Sequence, residues 1–158
     1  MANTEPVDMS SEALAKGLAL CRQGEWGNGL FFLGKIAEAG RTSAMPGVFF
    51  TTLGYGIARY QQRAEEGLKL CRHGVKLQFY EPENYVLLAR TALLCENRAE
   101  AVKAVRGGLK VDSNNAELRA LYTELGIRQL PVLPFLSRSN PLNQILGKLR
   151  TRIFGTKN

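Results

Sequence analysis

His73 and the three cysteines Cys21, Cys71 and Cys95 have the most obvious claim to chemistry in this 158-residue chain. Cys71 and His73 stand two apart, which looks like half a metal site. On a helix, residues two apart point in different directions. Zinc asks for four ligands, and no others cluster nearby in the sequence. A thiol–imidazole couple would need this single histidine beside a cysteine. Each cysteine, however, falls among apolar neighbours at helical spacing, where a thiolate is disfavoured. Three cysteines without a C-x-x-C read as reduced core thiols of a cytoplasmic protein. Glu65 and Glu66 are adjacent and diverge, as on a solvated helix face. Gly107 and Gly108 follow no strand, match no G-x-G-x-x-G or P-loop spacing, and end a helix rather than begin one, so they are no phosphate cradle. No acid, base and nucleophile converge. The expectation is a non-catalytic protein with no metal and no cofactor.

Composition agrees with a binding role. Hydrophobic residues make up 45% of the chain and charged residues 22%, ordinary values for a soluble domain with its own core. The opening "MANTEPVDMS" has no basic or apolar run of a signal peptide, and residues 1–9 are expected to be disordered. No stretch approaches the ~18 apolar residues of a membrane span. The net charge of +7 is unevenly placed. Residues 1–118 hold 14 Lys/Arg and 13 Asp/Glu, while residues 119–158 hold seven Lys/Arg and only Glu124. An acidic partner would therefore be met by the C-terminal quarter.

Helical periodicity runs through most of the chain. Leu14, Leu18 and Cys21 share a face, as do Leu30, Leu33 and Ile36, with "RQGEWGNG" between them. After "AGRTSAMPG" come segments carrying Phe49, Leu53, Ile57 and Tyr60, then Leu68, Cys71 and Val75. "EPEN" opens a fifth segment with Tyr85, Leu88, Ala92 and Cys95. "CENR" leads to a sixth with Ala101, Val105 and Leu109, and "DSNN" precedes a seventh from Ala116. "GVFFTT" is the best strand candidate and is better explained as a helix start after Pro46. The fold class is all-α, built of helix pairs with tight turns.

Residues 82–115 carry an internal-repeat signature and resemble a tetratricopeptide repeat. Tyr85 is the early aromatic, and Leu88 with Ala89 the large-small pair. Ala101, Val105 and Gly108 form the small-large-small series of the second helix, and "DSNN" is the closing turn. Ala92 departs from the usual large aromatic. Residues 10–40 (Gly17, Gly29, Leu33, Ile36) and 47–80 (Leu53, Gly54, Gly67, Cys71, Gly74) fit the same frame more loosely, with glycine in place of alanine at Gly29 and Gly67. The resemblance implies a short α-solenoid over 10–128 with about three repeats and a capping helix from Ala116 to Leu125. Gly108 would allow close helix approach. Gly107 has no place in the pattern.

The resemblance also implies a concave groove lined by the first helix of each repeat. Leu14, Leu18 and Arg22 would face it from repeat one, and Thr51, Tyr55 and Arg59 from repeat two. Glu83, Val86, Arg90 and Leu93 would do so from repeat three. One arginine per repeat among apolar neighbours suits a peptide with acidic character. Members that clamp acidic chaperone C-termini carry Lys and Asn where this chain has Leu14 and Leu18, so that clamp is not expected.

Residues 129–158 form a separate expectation. Pro131 and Pro134 forbid a regular helix through "PVLPFL", which reads as an extended strap packed on the solenoid. Asn140 and Pro141 then open a helix. Leu142, Ile145, Leu146, Leu149 and Ile153 make its apolar stripe, with Lys148, Arg150 and Arg152 off it. This basic helix would dock on an acidic protein or an anionic membrane surface. Nucleic acid is disfavoured because no stacking aromatics interleave the basic residues. The phrase resembles the ends of small bacterial tetratricopeptide proteins. The function expected is a protein-interaction adaptor or scaffold. The alternatives are a type III secretion-type chaperone, or a membrane-surface or nucleic-acid binder acting through the tail. The oligomeric state is left open.

Overall fold

Glycine, proline and asparagine punctuate the chain, and a computed structural model describing residues 9–127 and 140–153 shows what they separate. There are eight helices and no strand among the described residues. They are α1 (Met9–Arg22), α2 (Trp26–Glu38), α3 (Gly47–Tyr60), α4 (Ala64–Leu77), α5 (Pro82–Leu94), α6 (Arg98–Val111), α7 (Ala116–Glu124) and α8 (Pro141–Ile153). The helix after Pro46 bears out the reading of "GVFFTT". Local chemistry sets the boundaries. Pro82 occupies the first turn of α5, where its missing N–H costs nothing. The Asn97 side chain accepts the Glu100 N–H at 3.1 Å and donates to the Glu100 carboxylate at 3.1 Å, a reciprocal cap. Asn115 caps α7 by accepting from Leu118 N–H at 3.1 Å. Each hairpin turn passes through the left-handed region, at Gly24, Gln62 and Glu96.

The chain divides into two compact units, residues 1–125 and 126–158. In the first, α1 packs on α2, α3 on α4 and α5 on α6, and α7 closes on α6 and α5. These are three helix hairpins and a cap, the arrangement the repeat pattern implied. Phe49, Leu33, Leu68, Val105 and Leu118 are fully buried. The second unit contains α8. The strap "PVLPFL" and most of the N-terminal segment 1–9 lie outside the described residues.

Small residues set the hairpin crossings. A Cβ on Gly54 would stand 2.6 Å from the Gly67 carbonyl oxygen and 2.9 Å from Cys71 Sγ, and one on Gly67 would meet the Gly54 carbonyl. Gly47 and Gly74 face each other in the same way. The antiparallel helices α3 and α4 therefore touch backbone to backbone at two points seven residues apart. In α5 and α6, Ala89 and Ala101, both fully buried, take the places of Gly54 and Gly67. Gly108 is the close approach expected: its Cβ would meet Leu118 at 2.6 Å and Tyr85 Cβ at 2.8 Å. Gly107 does have a role, contrary to the sequence reading. A Cβ there would stand 2.9 Å from the Tyr85 ring, which is tied down by a 2.9 Å bond from its hydroxyl to the Phe79 carbonyl.

Candidate functional site: the concave groove

A buried polar seam fixes the second repeat against the third and so shapes the groove. Thr51 donates to Asn84 Oδ1 at 2.8 Å, and Asn84 donates to the Gln78 carbonyl at 3.0 Å. The Cys71 thiol donates to the Thr51 carbonyl at 3.4 Å and lies 3.3 Å from Thr91 Oγ1, whose hydroxyl donates to the Leu87 carbonyl at 2.8 Å. Burial pushes the Cys71 thiol up to about 12 and Cys21 up to about 11. All three cysteines are free. A buried, protonated thiol is a poor nucleophile. His73 is exposed and stands edge-on to Phe50 at 4.6 Å, on a face of α4 away from the buried Cys71. No three His, Cys, Asp or Glu side chains gather as a metal site among the described residues.

Residues of α1, α3, α5 and α7 line the concave side in two adjoining cavities. The larger, about 470 Å³, has Thr52, Val86 and Leu87 at its base and Arg22, Glu83 and Trp26 on its walls. The smaller, about 320 Å³, combines Tyr55, Arg59 and Leu93 with Leu94, Leu121 and Glu124. Arg90 and Glu117 border both. Trp26, the first residue of α2, stands edge-on to Tyr55 at 5.0 Å and lies 5.8 Å from Tyr60. It extends the groove wall with an aromatic surface.

Among the residues assigned to the groove, Thr51, Leu18 and Leu14 border neither cavity. Thr51 is fully buried in the polar seam and its neighbour Thr52 lines the cavity instead, a 100° difference around the helix. Val86 is buried and contributes floor. Leu18 is likewise buried, in a core cluster with Leu14 partly buried against it. Arg22, Tyr55, Arg59, Glu83, Val86, Arg90 and Leu93 each border one or both cavities.

The arginines are not equivalent. Arg22 grips Glu83 with two bonds, of 3.0 and 2.7 Å, across 61 residues of sequence, and that carboxylate raises its pKa. Arg90 donates to Glu117 at 2.8 Å. Arg59 is exposed and makes no ion pair among the described residues. Two of the three groove arginines thus already hold carboxylates, Arg22 one from the third repeat and Arg90 one from the capping helix. Exposed pairs of this kind contribute about 0–1 kcal/mol, so a ligand can open them at small cost. Nothing in the local sequence links Arg22 to Glu83, which meet across 61 residues through the packing of the hairpins.

The tail residues assigned to docking lie on α8. Asn140 caps it, accepting the Leu142 N–H at 3.0 Å. Leu142, Ile145 and Leu149 are exposed, as is Lys148, and Leu146 is half-buried. The side chains of Arg150, Arg152 and Ile153 lie outside the described set.

The sequence matches no protein-family profile and no curated protein. Solved structures do share the fold. The chain is similar to the TPR domain of Arabidopsis OM64, with a TM-score of 0.59 and 14% identity, covering 73% of this chain and 93% of that one. It is similar to the first TPR of Spaghetti (RPAP3), bound to the HSP90 peptide SRMEEVD, with a TM-score of 0.60 and 16% identity, covering 79% and 96%. PcrH from Pseudomonas aeruginosa gives a TM-score of 0.56 and 16% identity, covering 77% and 89%. The fold is therefore that of a tetratricopeptide-repeat solenoid.

Proposed function

We propose that this protein is a non-catalytic interaction adaptor or scaffold of the cytoplasm whose concave groove binds a peptide segment of another protein. The observation that carries the reading is Arg59. It is a groove cation without an ion-pair partner among the described residues, beside half-buried Tyr55 and a cavity in which Leu93, Leu94 and Leu121 stand among Arg90, Glu117 and Glu124. Such a site suits an apolar anchor next to a carboxylate. Arg22 and Arg90 supply further positive charge when their pairs open. The Spaghetti domain, of the same fold, is bound to an HSP90 peptide, which supports peptide capture as the general mode. Apolar Leu14 and Leu18 argue against that particular ligand here. The basic helix α8 is a second docking element on the same adaptor.

Selection of random peptides displayed on phage tests the reading. Wild type is expected to enrich acidic residues beside a bulky apolar one. Arg59→Ala is expected to lose the acidic preference while its circular dichroism melt stays unchanged. Enrichment that ignores Arg59 in a folded protein would refute the assignment.

A second reading is a secretion-type chaperone that holds a segment of its cargo in the groove. The likeness to PcrH favours it, since PcrH is also solved in complex with the chaperone binding region of PopB, at a TM-score of 0.56 to this chain. The net charge of +7 sits poorly with the acidic character usual in such chaperones.

A further inference from the structure

The charge of this molecule is divided between its units more sharply than its composition suggests. Residues 126–158 hold six Lys/Arg and no acidic residue, and the remaining 125 residues carry a net charge of only +1. In the solenoid, several arginines hold carboxylates, as Arg22 with Glu83, Arg72 with Glu100 and Arg90 with Glu117. In the second unit no carboxylate side chain exists to do so.

That unit also exposes apolar surface on a preformed helix. Leu142, Ile145 and Leu149 are 55%, 56% and 44% exposed. Their spacing of three and four residues places them along one side of α8. The cap at Asn140 fixes where the helix begins, so the face exists before any partner arrives. No described helix is long and apolar enough to cross a membrane. The 13 residues of α8 span only about 20 Å at 1.5 Å per residue, short of the ~30 Å hydrocarbon core.

We propose that α8 lies in the interface of an anionic lipid bilayer, its Leu142–Ile145–Leu149 side among the acyl chains and its surrounding cations at the headgroups. Charge of one sign, spread from Arg128 to Lys157 without a single acid, matches a surface that is uniformly negative. Docking helices that choose a protein partner generally mix signs to set register and exclude wrong partners. Apolar burial and electrostatic attraction then add. This deepens the docking-helix part of the adaptor reading and does not depend on what the groove binds.

The test is sedimentation of the full-length protein with phosphatidylcholine vesicles, with and without about one quarter phosphatidylglycerol, at low salt and at about 0.5 M, where screening is nearly complete. Expected is binding to the anionic vesicles alone, reduced at least tenfold by the high salt. Ile145→Gln with Leu149→Gln, which keeps helix-forming side chains, should weaken binding at least about tenfold. Lys148→Glu, which leaves the apolar side intact, should weaken it by a few-fold. Arg59→Ala should leave it unchanged, which separates this proposal from the groove assignment. Equal binding to neutral vesicles, or full binding by the Ile145→Gln, Leu149→Gln variant, would overturn the proposal. So would absence of vesicle binding alongside retention on immobilised polyglutamate, which would point to an acidic protein instead.

Discussion

In the second hairpin the helices meet backbone to backbone, Gly54 on Gly67 and Gly47 on Gly74. In the third, Ala89 and Ala101 hold the places of Gly54 and Gly67, both fully buried. Alanine keeps helix propensity and sets the spacing by one methyl group. Glycine gives up ~1 kcal/mol of propensity per residue and allows a closer crossing. The closer crossing lets Cys71 pack against Gly54 and reach Thr91 of the next repeat at 3.3 Å. The same repeat plan thus yields a hairpin held by side chains and another held by main chains, and the two tolerate different substitutions.

The largest expected effect breaks that contrast directly. Gly54→Ala combined with Gly67→Ala puts two methyl groups against carbonyl oxygens that cannot move without separating the helices. Each should cost ~1–3 kcal/mol as overpacking, enough together to unfold a marginal domain. Ala89→Gly with Ala101→Gly should cost only ~1 kcal/mol per site, from propensity and lost contacts. Urea melts of the two double variants compare them. Similar losses would mean that the crossings do not differ as described.

Within the third hairpin, Gly108→Leu should cost ~1–3 kcal/mol by forcing Leu118 and Tyr85 apart. Gly107→Ala should be milder but still destabilising, because the Tyr85 ring is held by Phe79. On the sequence pattern alone it would be neutral or slightly stabilising. The sign of that change in a thermal melt decides between the two.

The seam between the hairpins gives a pH signature. Cys71 rises from an ordinary 9.0 to about 12 through burial. Above pH 9 the unfolded chain loses the thiol proton while the folded protein keeps it. Stability is therefore complete below pH 9 and declines between 9 and 12, by up to ~1.4 kcal/mol per pH unit for this group. Cys21, raised to about 11, adds a smaller decline of the same sign. Cys71→Ala should flatten the alkaline slope measured by denaturant melts at stepped pH, whatever it does to stability at neutral pH.

These regions also show why the sequence was legible in places. The third repeat declared itself because Tyr85, Leu88, Ala89, Ala101, Val105 and Gly108 are the residues its packing requires, at the spacing that helical geometry dictates. The cap at Asn140 was readable for the same reason: it acts within two residues. Thr51 was misplaced because a one-residue step turns a side chain from groove to seam. The Arg22–Glu83 pair and the tie between Gly107 and the Tyr85 ring were not legible. Each depends on how close two helices come, and no local pattern states that distance.

The central claim is that Arg59 receives a carboxylate from a bound peptide. It is tested most directly by a double-mutant cycle on a selected peptide, pairing Arg59→Ala with replacement of the peptide's acidic residue by its amide. Titration calorimetry of the four combinations is expected to give a coupling of ~1 kcal/mol or more, as for a charge-assisted hydrogen bond. Losses that simply add, with coupling near zero, would contradict it.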